Sequence, residues 1–155
     1  MTSPAEDIDR IMTVMASAFD PDFGEAWTRR QVEDALLVGN CHYFLAASEC
    51  RRVISGEEAA GFSLSRTGVD DEELLLFAVT PEHRNKGIGQ YIINKLICAA
   101  RRRGANRLVL EMRRDNPAES LYRKNGFQPI GIRRNYYRKS DTSWIDAITF
   151  ECLIK

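Results

Sequence analysis

The segment Arg84-Asn85-Lys86-Gly87-Ile88-Gly89-Gln90 follows an apolar run, Leu74 to Val79, and precedes a stretch in which Ile88, Tyr91, Ile92, Lys95, Leu96 and Ala99 trace one face of a helix. Strand, glycine loop and helix in that order demand a sheet whose inner strand hands the chain directly to a helix N-terminus. Two glycines let the backbone approach an anion, and the first amides of a helix lack internal acceptors, so they are free to donate to phosphate oxygens. A phosphorylated ligand is the functional expectation, with a purely structural tight turn as the competing one. The spacing excludes two other phosphate loops. Gly-x-x-x-x-Gly-Lys-Ser/Thr is absent, as is Gly-x-Gly-x-x-Gly followed about 20 residues later by a ribose-binding acid.

A chain of 155 residues suits one domain, residues 1–155, around a single core. It has no run of 18 apolar residues, and Met-Thr-Ser-Pro-Ala-Glu-Asp lacks the basic-then-apolar order of a leader, so a cytoplasmic protein without membrane contact is expected. Cys41, Cys50, Cys98 and Cys152 form no Cys-x-x-Cys pair and stand in no ligand-like spacing to His42 or His83. Reduced thiols and no metal site follow. The net charge of zero hides a division: residues 1–75 hold 15 acids and 6 bases, whereas residues 76–155 hold 7 acids and 16 bases. Either the halves interleave and neutralise each other, or the basic half faces an anionic cofactor while acids elsewhere attract a cationic substrate. Arg101-Arg102-Arg103 closes a helix, where cations oppose the negative end of the dipole, so direct nucleic-acid binding is not expected.

The periodicities predict a helix over 5–18, a loop with Pro21, Gly24 and Trp27, and a second helix opened by the Thr28-x-x-Gln31 capping box and ended by Gly39 and Asn40. Strands are predicted at 43–48, 59–65 and 74–80, separated by turns at 55–58 and 70–73. The helix after the glycine loop runs to Arg103, with Gly104 as a left-handed cap. A strand at 108–112 follows. Asn116, Pro117 and Glu119 then open a short helix carrying Leu121 and Tyr122, which Asn125-Gly126 stops, and strands at 127–133 and 144–153 complete the sheet. Leu108, Leu110 and Met112 share one strand face, which leaves Glu111 on the other with Val109. A carboxylate there is unexpected unless paired or functional.

Arg84-x-x-Gly87-x-Gly89, Leu110-Glu111, Asn116 and Leu121-Tyr122-x-x-x-Gly126-Phe127, set in this order of elements, resemble the GNAT superfamily of acetyl-CoA-dependent N-acetyltransferases over nearly the whole chain. Leu110-Glu111-x-Arg113 and Arg133-Arg134-Asn135-Tyr136-Tyr137 further resemble its RimI-type members, which acetylate the N-terminal alanine of a small-subunit ribosomal protein. The resemblance implies an α+β fold, a mixed and mostly antiparallel sheet of six to seven strands flanked by about four helices. It also implies acetyl-CoA as cosubstrate and a protein N-terminus as acceptor.

By the same resemblance Glu111 is the general base, acting through water, and Tyr122 the general acid that protonates the departing thiolate. Phe77, Ala78 and Val79 bind the pantetheine arm with their backbone, joined by the Asn116 side chain. Arg84, Asn85, Lys86, Gly87, Ile88, Gly89 and Gln90 hold the pyrophosphate. Tyr136, Tyr137 and Trp144, around the loop joining the last two strands, are expected to wall the acceptor peptide. That loop departs from the family pattern: Arg138-Lys139-Ser140-Asp141-Thr142-Ser143-Trp144-Ile145-Asp146 lacks the usual glycine after the first acid and the usual second acid just before Asp146. A small-amine or lysine acetyltransferase of the same fold, and a non-catalytic acetyl-CoA sensor, are the alternatives. Retention of Glu111 and Tyr122 argues against the sensor.

Overall fold

The computed structural model describes residues 2–155. Helix α1 (Pro4–Ala18) opens on a capping box: the Glu6 amide donates to Ser3 Oγ at 3.2 Å, and the Ser3 amide donates to the Glu6 carboxylate at 3.3 Å. The Ser-x-x-Glu signal stands in the sequence, with Ser3 two residues before the expected start. Helix α2 (Arg29–Val38) opens on the predicted Thr28–Gln31 box and ends at Gly39, whose φ of +95° is the left-handed geometry a helix C-terminus favours.

Strands β1 (Cys41–Ala46), β2 (Gly61–Thr67) and β3 (Asp71–Val79) form an antiparallel meander. Helix α3 (Ile88–Arg102) then crosses over to β4 (Arg107–Arg113), the short helix α4 (Glu119–Lys124) follows, and β5 (Gln128–Arg138) and β6 (Trp144–Leu153) close the sheet as a hairpin. The order across the sheet is β1-β2-β3-β4-β6-β5, and only β3 and β4 run parallel. This is the mixed, mostly antiparallel six-stranded sheet that was expected.

The two sheet faces carry separate cores. Ile11, Val14 and Met15 of α1 and Val32 of α2 pack on Leu45, Phe62, Leu64, Leu76 and Ala78. On the other face Ile93 and Leu96 of α3 pack on Leu74, Leu108, Leu110 and Met112, with Tyr122 and Phe127. Leu74 and Leu76 thus bury on opposite faces although both are even-numbered residues of one strand. The reason is a β-bulge: Leu64 opposes Leu76 and Ser65 opposes Leu74, so Leu75 is an extra residue in β3. Parallel pairing of β3 with β4 stops at Leu74 and Leu110, next to the bulge, while both strands continue. The sheet therefore splits in the middle. Thr80 N–H bonds back to Ala60 at 2.8 Å, so by alternation Phe77 and Val79 turn their backbone polar groups toward the split.

Two expectations are corrected. The acidic stretch 70–73 is not a turn: Asp71 to Glu73 belong to β3, and Glu72 is fully buried. Arg103 at the end of α3 grips it at 2.9 and 2.6 Å, and Ser65 Oγ donates to it at 2.6 Å. Burial alone pushes this carboxyl up, but the Arg103 and Ser65 hydrogen bonds outweigh it and hold the group below the usual carboxylate range. A depressed folded-state value adds stability above the unfolded value of about 4.3, and that stability is lost as pH falls through the folded value. Thermal melts from pH 7 to pH 3 are thus expected to show an acid-side loss that Glu72→Gln flattens, the variant being less stable by about 2–3 kcal/mol at neutral pH.

The second correction concerns the last hairpin. β5 runs to Arg138 rather than ending at Arg133, so Tyr136 and Tyr137 are strand residues rather than loop residues.

Candidate functional site

Two clefts meet at the split. The first, about 580 Å³, lies between α3 and α4 and is lined by Phe77, Ala78, Val79, Arg84, Asn85, Gly87, Gly89, Gln90 and Leu121. Its floor is the expected glycine loop. The amides from Asn85 to Gln90 donate to no backbone carbonyl, and the first helical bond is Tyr91 to Gly87 at 3.0 Å. Such a row of free donors at a helix N-terminus is an anion cradle. Gly87, at φ +86°, has open space where a Cβ would stand, whereas a Cβ at Gly89 would meet Leu121 at 3.0 Å and Phe77 at 3.4 Å. The first glycine thus serves backbone conformation, and the second serves close approach of α3 to its neighbours.

The side chains around this loop have defined partners. Arg84 donates to the carbonyls of Val79 and Ala18, both at 3.1 Å, and so fastens the loop to β3 and α1. Gln90 exchanges amide hydrogen bonds with Asn125 at 2.7 and 3.0 Å, joining α3 to the end of α4 across the cleft. Ile88 is buried beneath the loop, and Lys86 is exposed.

The second cleft, about 350 Å³, opens on the α1–α2 face between the 24–27 segment, Glu111, Asn116, Tyr122, Tyr136 and Tyr137. Phe77 lines both clefts. Glu111 accepts from Thr149 Oγ1 at 3.2 Å and is ion-paired with Arg133 at 3.0 Å. Asn116 is not the N-cap expected from sequence: the helix starts at Glu119 with Ala118 as its N-cap, and Asn116 Oδ1 instead accepts from the Ala118 amide at 2.9 Å in the turn before it. Tyr122 is packed between Phe77 and Phe127, with ring centroids 5.9 and 5.7 Å away. Burial, and then the nearby Glu25 charge, pushes its phenol well above the usual tyrosine value, so it stays protonated. Burial likewise pushes Tyr137 up to about 12.

Trp144 lines neither cleft; half exposed at the start of β6, it lies beneath the Arg138 guanidinium, 5.5 Å from the ring centroid. Glu25 is a cleft residue that sequence reasoning missed. It pairs with Arg113 at 3.1 Å, and Arg113 in turn lies 3.8 Å over the Phe23 ring. Burial pushes the Glu25 carboxyl up, against the pull of Arg113. Its only local signal is a position beside Gly24 in the link between two capped helices. His83 and Lys124, at the first cleft, were also not singled out for this role.

The charges are sorted. Arg84 and Lys124 line the first cleft without an acid, whereas Glu25, Glu73 and Glu111 line the second, each ion-paired with an arginine outside the lining, Arg113, Arg66 and Arg133 in turn. The first cleft favours a polyanion, and the second offers carboxylate oxygens that are shared with guanidinium groups.

The Acetyltransferase (GNAT) domain model matches residues 39–129, which carry β1 to α4 and the whole glycine loop. The chain belongs to the GNAT acetyltransferase family. Among curated relatives, this GNAT chain is 32% identical over 103 residues to the ribosomal protein bS18-alanine N-acetyltransferase of Haemophilus influenzae, covering 66% of this chain and 70% of that one. Its fold superposes on the crystal structure of the ribosomal-protein-S18-alanine N-acetyltransferase from Escherichia coli with a TM-score of 0.81 and 25% identity, over 100% of this chain and 92% of the other. It also superposes on Arabidopsis thaliana NAA60 in complex with acetyl-CoA, with a TM-score of 0.78 and 17% identity over 98% and 95% of the two chains, a likeness of fold. GNAT acetyltransferases use acetyl-CoA, and this chain is an acyltransferase of that kind. Among the described residues no helix is long and apolar enough to cross a membrane, and no group of three or more His, Cys, Asp or Glu could hold a metal ion.

Proposed function

We propose that the protein transfers an acetyl group from acetyl-CoA to the α-amine of a protein N-terminus, with the alanine N-terminus of a ribosomal protein as the acceptor class carried over from its relatives. The observation that carries this reading is the pair of clefts joined through the split in the sheet, one basic and floored by free helix N-terminal amides, the other lined by Glu111 and Tyr122. The diphosphate of acetyl-CoA fits the amides of 85–90 with Arg84 and Lys124 nearby. Its amide-bearing arm matches the backbone groups that Phe77 and Val79 turn toward the split, of which the Val79 carbonyl already accepts from Arg84, and Asn116 stands at the far side. Tyr136 and Tyr137 wall the acceptor side; Trp144 has no part in that wall.

At neutral pH a peptide α-amine is largely an ammonium and cannot attack a thioester. Glu111 lines the acceptor cleft and takes the ammonium proton through a water molecule. The freed amine attacks the acetyl carbonyl, forming the C–N bond, and an amide of the open β3 edge stabilises the oxyanion. As the C–S bond breaks, the sulfur takes the Tyr122 phenol proton, and the surplus proton on the new amide nitrogen returns to the phenolate, leaving a free thiol and a neutral amide. Tyr122→Phe removes that proton with little change in volume. It is expected to lower kcat about 10- to 100-fold with KM for acetyl-CoA nearly unchanged, as steady-state thiol-release kinetics would measure. Because burial raises the phenol, the native rate should show no loss from its ionisation until well above pH 10.

The deciding assay measures CoA thiol release with peptides beginning in alanine, serine or methionine, with the same peptides N-terminally blocked, and with polyamines. Release only with free N-termini supports the reading. Release only with polyamines, or with blocked lysine-containing peptides, moves the acceptor to a small amine or lysine, a reading favoured by the altered residues 138–146. Acetyl-CoA binding with no turnover on any acceptor would favour a sensor.

A further inference from the structure

Glu111 is held by one oxygen. Thr149, its cross-strand neighbour on β6, donates to Oε2, and the nearest guanidinium atom of Arg133, Nε, lies 3.0 Å from the same oxygen. No hydrogen bond reaches Oε1 among the described residues. Arg133 sits on β5, two strands from Glu111, and can reach it because its own cross-strand neighbour on β6 is Ala147, which puts only a methyl in the way. Its guanidinium also lies 5.1 Å over the Tyr136 ring. Tyr136 is brought there by an irregularity in β5: pairing passes from Arg133–Ala147 to Tyr137–Ile145, and Asn135, at φ +54°, donates its amide to Asp146 Oδ1 at 3.0 Å.

We infer that Arg133 is a positioning residue, which with Thr149 clamps Oε2 of Glu111 so that Oε1 faces the acceptor, and which ties the base to the Tyr136 wall. This rests on Glu111 being the base. A carboxylate free to rotate presents either oxygen to the cleft, whereas one pinned at Oε2 offers a single orientation, and proton transfer is sensitive to such displacements. The guanidinium suits the double task, since its charge pairs with the carboxylate at 3.0 Å while it lies 5.1 Å over the Tyr136 ring. Exposure of the Arg133 side chain, 62%, makes it a minor contributor to stability, so its removal is expected to leave the fold intact.

The test is steady-state kinetics on Arg133→Met and Arg133→Lys, alone and with Glu111→Gln, using an alanine-leading peptide. Arg133→Met is expected to lower kcat about tenfold with KM for acetyl-CoA unchanged. Arg133→Lys, which keeps the charge, is expected to regain part of the loss. In the Glu111→Gln background Arg133→Met should cost nothing further, because its effect passes through the carboxylate. An unchanged kcat in Arg133→Met, or the same tenfold loss with and without Glu111, would overturn the inference. A fully active Glu111→Gln enzyme would instead remove the base assignment itself. Should Arg133→Met fold poorly, Thr149→Val probes the other half of the clamp: a kcat loss that disappears in Glu111→Gln supports the clamp, and an unchanged kcat overturns it.

Discussion

Glu111→Gln is expected to lower kcat by about two to three orders of magnitude at pH 7, the range over which positioned acid–base groups act. The substitution keeps shape and an oxygen for Thr149 but removes the proton acceptor. Its pH dependence is diagnostic. A peptide α-amine titrates near pH 7.7–8.0, so below that range nearly every acceptor arrives protonated and a base is needed, while above it the free amine needs none. The deficit should therefore be largest near pH 6 and shrink toward pH 9 in kcat measured against the same peptide. Because the glycine loop lies in the other cleft, affinity for acetyl-CoA should hold. A loss of equal size at every pH would point to misplacement of substrate rather than loss of a base.

Gly87→Val is expected to raise the Kd for acetyl-CoA about 10- to 100-fold. The residue sits at φ +86°, a region that a β-branched side chain enters only with a strain of about 1–3 kcal/mol. Either the strain is carried into the complex, or the loop relaxes and turns amides of 85–90 away from the diphosphate. Obstruction inside the free protein is not the cause, since nothing lies within 4 Å of the Cβ position. Gly104→Val supplies the control: φ is +92°, the surroundings are equally open, and the residue lines neither cleft. Calorimetric titration should find weak binding in the first variant and ordinary binding in the second, with thermal stability lowered in both. Ordinary affinity in Gly87→Val would remove the loop from cofactor binding.

What the sequence made legible was local. The Thr28–Gln31 box, the loop 84–90 and Gly104 as a helix terminator each depend on neighbours within a few residues, and each is present in the fold. The helix and strand order followed from periodicity for the same reason. The bulge at Leu75 was illegible because burial alternates without interruption through β3 even as the faces exchange. Glu72 looked like part of a solvated turn because its partner, Arg103, is 31 residues away. Glu25 sits in the second cleft with Arg113, 88 residues on, and Trp144, opposite Arg138 at the turn end of the last hairpin, lies outside it. In each case the missing information was a long-range pairing, which composition and spacing do not encode.

The split sheet has a kinetic consequence. In the proposed function it separates the donor cleft from the acceptor cleft, so that neither substrate must leave before the other docks. Both can be resident when the acetyl group crosses, and no side chain need carry it in between. Initial-rate plots at several fixed acceptor concentrations should accordingly intersect, the pattern of a ternary complex, rather than run parallel as for a shuttled acyl-enzyme.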